Sequence, residues 1–193
     1  MSINIFDKRK EDILGKQDKS SKGSWDKKIV PLCERINELK NYYTTSSCSG
    51  RILLIRDSVK KTYGLFLKVH HDVLSFESFK EDLVEISKIE TKNVVNFKQE
   101  PCALHVACRT LEDAQKLVDV ARSVGWKKSG IISSSKRFVV EMFGSSKLEF
   151  PLLKEGKILA EDIFLREVLS RANINLEKSW EEINLLFEKI KDF

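Results

Sequence analysis

The stretch Val94–Val124, VVNFKQEPCALHVACRTLEDAQKLVDVARSV, decides the fold. Val94 to Lys98 and Cys102 to Cys108 are two short runs of strand-forming residues, and Leu111 to Val124 then changes to helical spacing. The same order occurs upstream. Arg51-Ile-Leu-Leu-Ile-Arg56 reads as a buried strand and the polar stretch Asp57 to Thr62 as a turn. Tyr63, Leu65, Leu67 and Val69 then alternate with Gly64, Phe66, Lys68 and His70, which is strand spacing. Ser78 to Ser87 follows as a helix with Phe79, Leu83 and Ile86 along one side. Two more strands, near Lys128 to Ser133 and Arg137 to Met142, close the pattern as a hairpin. A strand–strand–helix unit used twice predicts an α+β fold on a mixed, mainly antiparallel sheet with packed helices. A doubly wound parallel sheet would alternate single strands with helices.

Outside this centre, residues Asp7 to Lys22 are mostly charged and run into the breaker Ser20-Ser21-Lys22-Gly23-Ser24. A helix is expected from about Lys28, with Ile29, Leu32, Cys33, Ile36, Leu39 and Tyr43 forming its stripe. Pro31 is tolerated there because it falls in the first turn. Thr44 to Gly50 then reads as a polar loop. The tail is expected to be helical over Ile158 to Ala172 and again where Leu176, Trp180, Ile183, Phe187 and Ile190 recur. The whole of 1–193 is expected to form one domain: an N-terminal arm over 1–25, an α+β core over 26–143, and C-terminal helices over 158–193 packed on that core.

The chain is 41% hydrophobic and 33% charged, which supplies a core and excludes disordered and fibrous classes. No apolar run approaches a membrane span, and Met1 to Lys10 is too polar for a signal peptide, so a soluble, cytoplasmic protein is expected. Cys33, Cys48, Cys102 and Cys108 form no CxxC pair, and reduced thiols are expected. The net charge of +5 is uneven: Met1 to Arg51 holds 11 basic against 7 acidic residues, and Pro151 to Phe193 holds 7 against 9. Gly125 to Phe138 carries Lys127, Lys128, Lys136 and Arg137 with no acid. Such clusters suit a phosphate backbone, and they equally suit an ordinary solvated surface.

Four segments can carry chemistry. In Thr44-Thr-Ser-Ser-Cys-Ser-Gly-Arg51, small hydroxyl side chains, a permissive glycine and an arginine suit a carboxylate or phosphate ligand; the plain alternative is a polar connection. No base accompanies these serines, which argues for binding over covalent catalysis. In Gln99-Glu-Pro-Cys-Ala-Leu-His-Val-Ala-Cys108, strand geometry puts Cys102, Leu104, Val106 and Cys108 on one face and His105 on the other. That separation disfavours a zinc site and leaves His105 between Ala103 and Ala107 with room for a ligand. Trp126, within Gly125-Trp-Lys-Lys-Ser-Gly-Ile131, either offers a stacking surface beside two lysines or closes the core under the preceding helix. Asp26, ending Lys22-Gly-Ser-Trp-Asp26, is placed to cap a helix. There is no GxxxxGK[ST], no strand followed by GxGxxG, and no carboxylate cluster for a two-metal site.

Together these segments resemble the wybutosine-synthesis methyltransferase family, which acts on phenylalanine tRNA. The resemblance runs from about Asp18 to Met142. It is carried by Lys22–Asp26, Pro31-Leu32, Ile36-Asn37, Tyr43–Arg51, Phe97–Pro101, Leu104-His105-Val106, Gly125–Ile131 and Arg137. It implies a non-Rossmann enzyme that uses S-adenosylmethionine to methylate N4 of a tricyclic guanosine derivative beside the anticodon, the 7-aminocarboxypropyl-demethylwyosine base of tRNA-Phe. Neither a metal nor a membrane is implied. By the match, Lys22, Ser46, Ser47, Cys48, Ser49, Gly50, Arg51, Glu100, Trp126, Lys127, Lys128, Ser129, Gly130 and Arg137 are the expected cofactor- or tRNA-binding residues. Ser46, Ser47, Ser49 and Arg51 would hold the methionine carboxylate of the cofactor or the matching group on the base. Trp126 would stack, and Lys127 and Lys128 would meet the RNA backbone. Asp26 and His105 are the candidates for the proton acceptor. The competing expectation is a non-catalytic RNA-binding protein whose basic loops and Trp126 form the contact surface.

Overall fold

Every strand pairing among the described residues is antiparallel. The computed structural model describes residues 5–15, 26–58, 64–90, 92–134, 137–191 and 193. Lys22 and the rest of the breaker lie outside them, as do Tyr63 and Lys136. The elements run α1 (Ile5–Leu14), α2 (Val30–Glu38), β1 (Tyr42–Cys48), β2 (Arg51–Arg56), β3 (Phe66–His70), α3 (Phe76–Ile89), β4 (Val94–Glu100) and β5 (Ala103–Cys108). Then come α4 (Leu111–Ser123), β6 (Gly130–Ser133), β7 (Phe138–Phe143), β8 (Leu148–Lys154), β9 (Lys157–Ile158) and α5 (Asp162–Ile190). The expected α+β, non-Rossmann class holds, with the strands divided between two sheets.

Local chemistry starts the helices where they start. Ser75 caps α3, its hydroxyl accepting from the Ser78 amide at 3.1 Å. Thr110 and Asp113 form a reciprocal capping box at the start of α4. Pro31 sits in the first turn of α2, where its missing N–H costs nothing.

The chain divides into two compact units, the first built from Met1–Ser49, Cys102–Ser145 and Trp180–Phe193, the second from Gly50–Pro101 and Ser146–Ser179. In the first unit the sheet order is β1-β5-β7-β6. One face is covered by α2, α4 and the Trp180–Ile190 part of α5. Leu32, Cys33, Ile36, Leu117, Ala121, Ile183 and Leu186 pack there against Leu104, Val106, Val140 and Met142, all nearly solvent-free. In the second unit the order is β3-β2-β4-β8-β9. Its interior strand β2 is buried from Ile52 to Ile55, as a continuous apolar run predicts. Phe97 of β4 lies there between Phe79, at 5.7 Å between ring centroids, and Phe150, at 5.2 Å.

Several expectations need correction. Thr44–Gly50 is not a loop, because β1 runs from Tyr42 to Cys48 and pairs with β5. Its aromatic and β-branched start, Tyr-Tyr-Thr-Thr, favours a strand. Tyr43 therefore belongs to β1, and α2 ends at Glu38. Ile158 is in a strand, and the tail is one helix from Asp162. Strands β8 and β9 were not expected, since Pro151 and the charges around it mask the alternation. Among the described residues no helix is long and apolar enough to cross a membrane.

Phe97→Ala removes a fully buried ring and both of its aromatic contacts. A loss of about 3–5 kcal/mol of unfolding free energy is expected in urea denaturation.

Candidate active site on the open face of the first sheet

Antiparallel register sets residues directly opposite one another on a common face. Following the partners across the first sheet gives one rank through all four strands. Ser46 lies opposite His105, His105 opposite Glu141, and Glu141 opposite Gly130. The flanking ranks on the same face are Tyr43–Ala107–Val139 and Cys48–Ala103–Phe143. The intervening ranks, Thr44–Val106–Val140 and Ser47–Leu104–Met142, face the helices. His105 thus stands on the face opposite Leu104 and Val106, as its strand position predicts.

Simple alternation from Tyr43 would place Thr45 on the open face and turn Ser46 inward. A β-bulge between Thr44 and Ser46 inserts one residue and reverses this. Asn37 of α2 secures the residue before the bulge: its Oδ1 accepts from the Thr44 amide at 2.7 Å, and its Nδ2 donates to Thr44 Oγ1 at 3.0 Å. Ser46 is exposed as a result.

His105 Nε2 and Glu141 Oε1 are 2.8 Å apart, with the two side chains 31% and 34% exposed. Phe143 meets the imidazole edge-on at 6.2 Å. The rest of the floor is small: Ser46, Ala103 and Gly130, with Ala107 buried on the same face. A Cβ built on Gly130 would meet nothing within 4 Å. One border is raised by α1, whose Phe6 packs against Tyr43 at 5.2 Å and under the Arg109 guanidinium at 4.5 Å. Asp7 pairs with Arg109, and that hydrogen bond holds its carboxyl below the usual range.

The remaining expected residues are not members of that rank. Ser49 is solvent-free and donates from Oγ to Asp26 Oδ2 at 2.6 Å, with its amide 3.2 Å from the same oxygen. Asp26 does not cap α2, whose N-cap Ile29 has no side-chain hydrogen bond. Ser47 faces inward beside Cys33. Gly50 has φ 105°, a left-handed conformation that favours glycine. In the second unit Arg51 and Glu100 pair with each other at 2.7 Å, and Arg51 lies 5.5 Å from the Phe66 ring. The Trp126 ring is fully buried, its Nε1 donating to Glu182 O at 3.0 Å. This corrects the stacking role: the indole closes the core under α4. Ser129 is buried and donates to Trp126 O at 2.6 Å, while Lys127, Lys128 and Arg137 are exposed. Burial pushes the Cys33 and Cys108 thiols up to about 12, so both are inert core groups.

Glu141 and Phe143 were missed in the sequence. Glu141 had a signal, since it is the one charged residue in the otherwise apolar Phe138-Val-Val-Glu-Met-Phe143.

The chain matches the family described as Methyltransferase TYW3 over residues 8–192. It belongs to that family. A relative in Thermococcus sibiricus, named tRNA(Phe) 7-((3-amino-3-carboxypropyl)-4-demethylwyosine(37)-N(4))-methyltransferase, is 35% identical over 96% of this chain and 94% of its own. The mouse tRNA wybutosine-synthesizing protein 3 homolog is 34% identical over 96% of this chain and 73% of its own. A solved structure from Pyrococcus horikoshii superposes with a TM-score of 0.86 at 32% identity, covering 97% of this chain and 94% of that one. Membership in the TYW3 family makes this protein a methyltransferase, which needs a methyl donor and a nucleophilic acceptor.

Gly130→Val would add bulk to the floor of the rank from a Cβ that meets nothing within 4 Å. The melting temperature is expected not to fall, whereas methyl transfer should drop at least about tenfold, equivalent to 1.4 kcal/mol. Full activity would show that the rank is not the site.

Proposed function

We propose that this methyltransferase transfers a methyl group from S-adenosylmethionine to N4 of the 7-aminocarboxypropyl-demethylwyosine base of tRNA-Phe. The observation that carries the reading is a family match along nearly the whole chain, joined to a ranked open face with an imidazole at its centre.

The donor chemistry of that face fits the ligands. A Cβ at Gly130 would meet nothing within 4 Å, and the exposed Ser46 hydroxyl can donate to a carboxylate of an amino-acid side chain. Both the cofactor and the modified base carry such a side chain. Bound S-adenosylmethionine supplies a methyl group already activated on a sulfonium. The protein's share is then alignment of N4 and removal of its proton.

His105 suits proton removal better than Asp26. Asp26 is 9% exposed and already accepts both the hydroxyl and the amide of Ser49. That pair fixes the end of β1, which is a structural contribution to the site. His105 faces solvent and small neighbours. Lys127, Lys128 and Arg137, all exposed, supply cations for the tRNA backbone. Arg51 and Glu100 form an ion pair within the second unit through Arg51 Nε, which leaves the other guanidinium N–H groups for an anionic ligand.

The test uses purified protein, isotopically methyl-labelled S-adenosylmethionine and tRNA-Phe carrying the precursor base. One methyl group per tRNA, mapped to N4, is expected. His105→Ala should lower turnover by about 10²–10⁴-fold while leaving the cofactor's calorimetric affinity unchanged. Salt-sensitive tRNA binding with no methyl transfer would favour the RNA-binding alternative instead.

A further inference from the structure

Among the described residues, the His105 ring makes one hydrogen bond, from Nε2 to Glu141. With the carboxylate ionised and the imidazole neutral, Glu141 can only accept, so Nε2 carries the proton and Nδ1 keeps its lone pair. The two residues are direct cross-strand partners on β5 and β7, so backbone pairing holds their Cα atoms at a set distance. Phe143 limits the ring from a second direction, edge-on at 85°. No other charged side chain stands in the rank, because its ends are Ser46 and Gly130.

A half-exposed pair of this kind adds little to stability. The strands that carry it are already joined by their own ladder and by the core on the opposite face. The carboxylate is therefore not needed to hold β7 in place.

We propose that Glu141 is the positioning residue for His105, fixing its tautomer and ring orientation and stabilising the imidazolium that forms. This rests on the reading of His105 as the proton acceptor. In the transfer the bond from methyl carbon to N4 forms as the bond from that carbon to sulfur breaks, leaving a neutral thioether. The N4 proton passes to Nδ1 of His105. The ring then carries a proton on each nitrogen, and Glu141 remains a carboxylate bound to Nε2–H. A carboxylate behind a basic imidazole acts in this way without itself taking up a proton.

The experiment is a double-mutant cycle on the full chain with S-adenosylmethionine and precursor tRNA, comparing His105→Ala, Glu141→Gln and the double variant. Glu141→Gln is expected to lower kcat by at least about tenfold, within the roughly 10²–10⁴-fold that a general base contributes, with cofactor affinity and melting temperature unchanged. The double variant should be no slower than His105→Ala alone, because Glu141 acts only through the ring. Nitrogen NMR of the wild-type protein should show Nε2 protonated and Nδ1 bare.

Wild-type turnover in Glu141→Gln alongside a slow His105→Ala would overturn the positioning role and leave the proton acceptor standing. Additive losses in the double variant, or a proton on Nδ1, would overturn it as well. Wild-type turnover in His105→Ala would remove both assignments together.

Discussion

Leu104 and Val106 must face the helices of the first unit, and that requirement governs the side chains of the candidate site. Side chains on a strand alternate, so a slip of one residue in β5 would expose both and turn His105 into the core. The apolar cluster formed with α2, α4 and the end of α5 opposes any such slip. Once β5 is registered against β1 and β7, the opposite face is settled without further choice. Ser46, His105, Glu141 and Gly130 then come from four strands into one line. Hydrophobic burial on one side of the sheet thereby delivers polar geometry on the other.

The bulge at Thr45 adjusts this otherwise regular scheme. Without it β1 would present Thr45 beside His105 and bury Ser46. Asn37 reaches from α2 to both the amide and the hydroxyl of Thr44, so a helix on the buried side secures a serine on the open side. The loop before β6 is held by similar means. Gly125 adopts φ 109°, Trp126 anchors it in the core, and Arg122 donates to Ser129 O at 2.7 Å. Lys127 and Lys128 are presented to solvent by a buried tryptophan. This explains why Trp and Lys adjoin in the sequence without the indole facing a ligand.

Much of this was legible in the residues. Alternation placed His105 opposite Leu104 and Val106, and the two strand–strand–helix units gave the α+β class. Other features were not legible, for physical reasons. Hydroxyl-rich Thr44–Cys48 resembles a loop in composition, and only pairing with β5 makes it a strand. A bulge leaves no periodic trace, so the side on which Ser46 emerges could not be read. The partnership of His105 with Glu141 joins residues on different strands, and spacing along the chain does not report cross-strand register. Trp126 stood between two roles because an aromatic beside lysines has the same local sequence in either. Its burial is decided by the surrounding core, including Glu182 from the far end of the chain.

On the proposed reading, methyl transfer takes place on the rank that crosses the first sheet. The most direct measurement is an amide NMR titration of the protein with S-adenosylhomocysteine in the presence of tRNA-Phe. The largest changes are expected on Ser46, Ala103 to His105, Gly130 and Glu141. Changes confined to residues such as those of α3, with that rank silent at saturation, would contradict it.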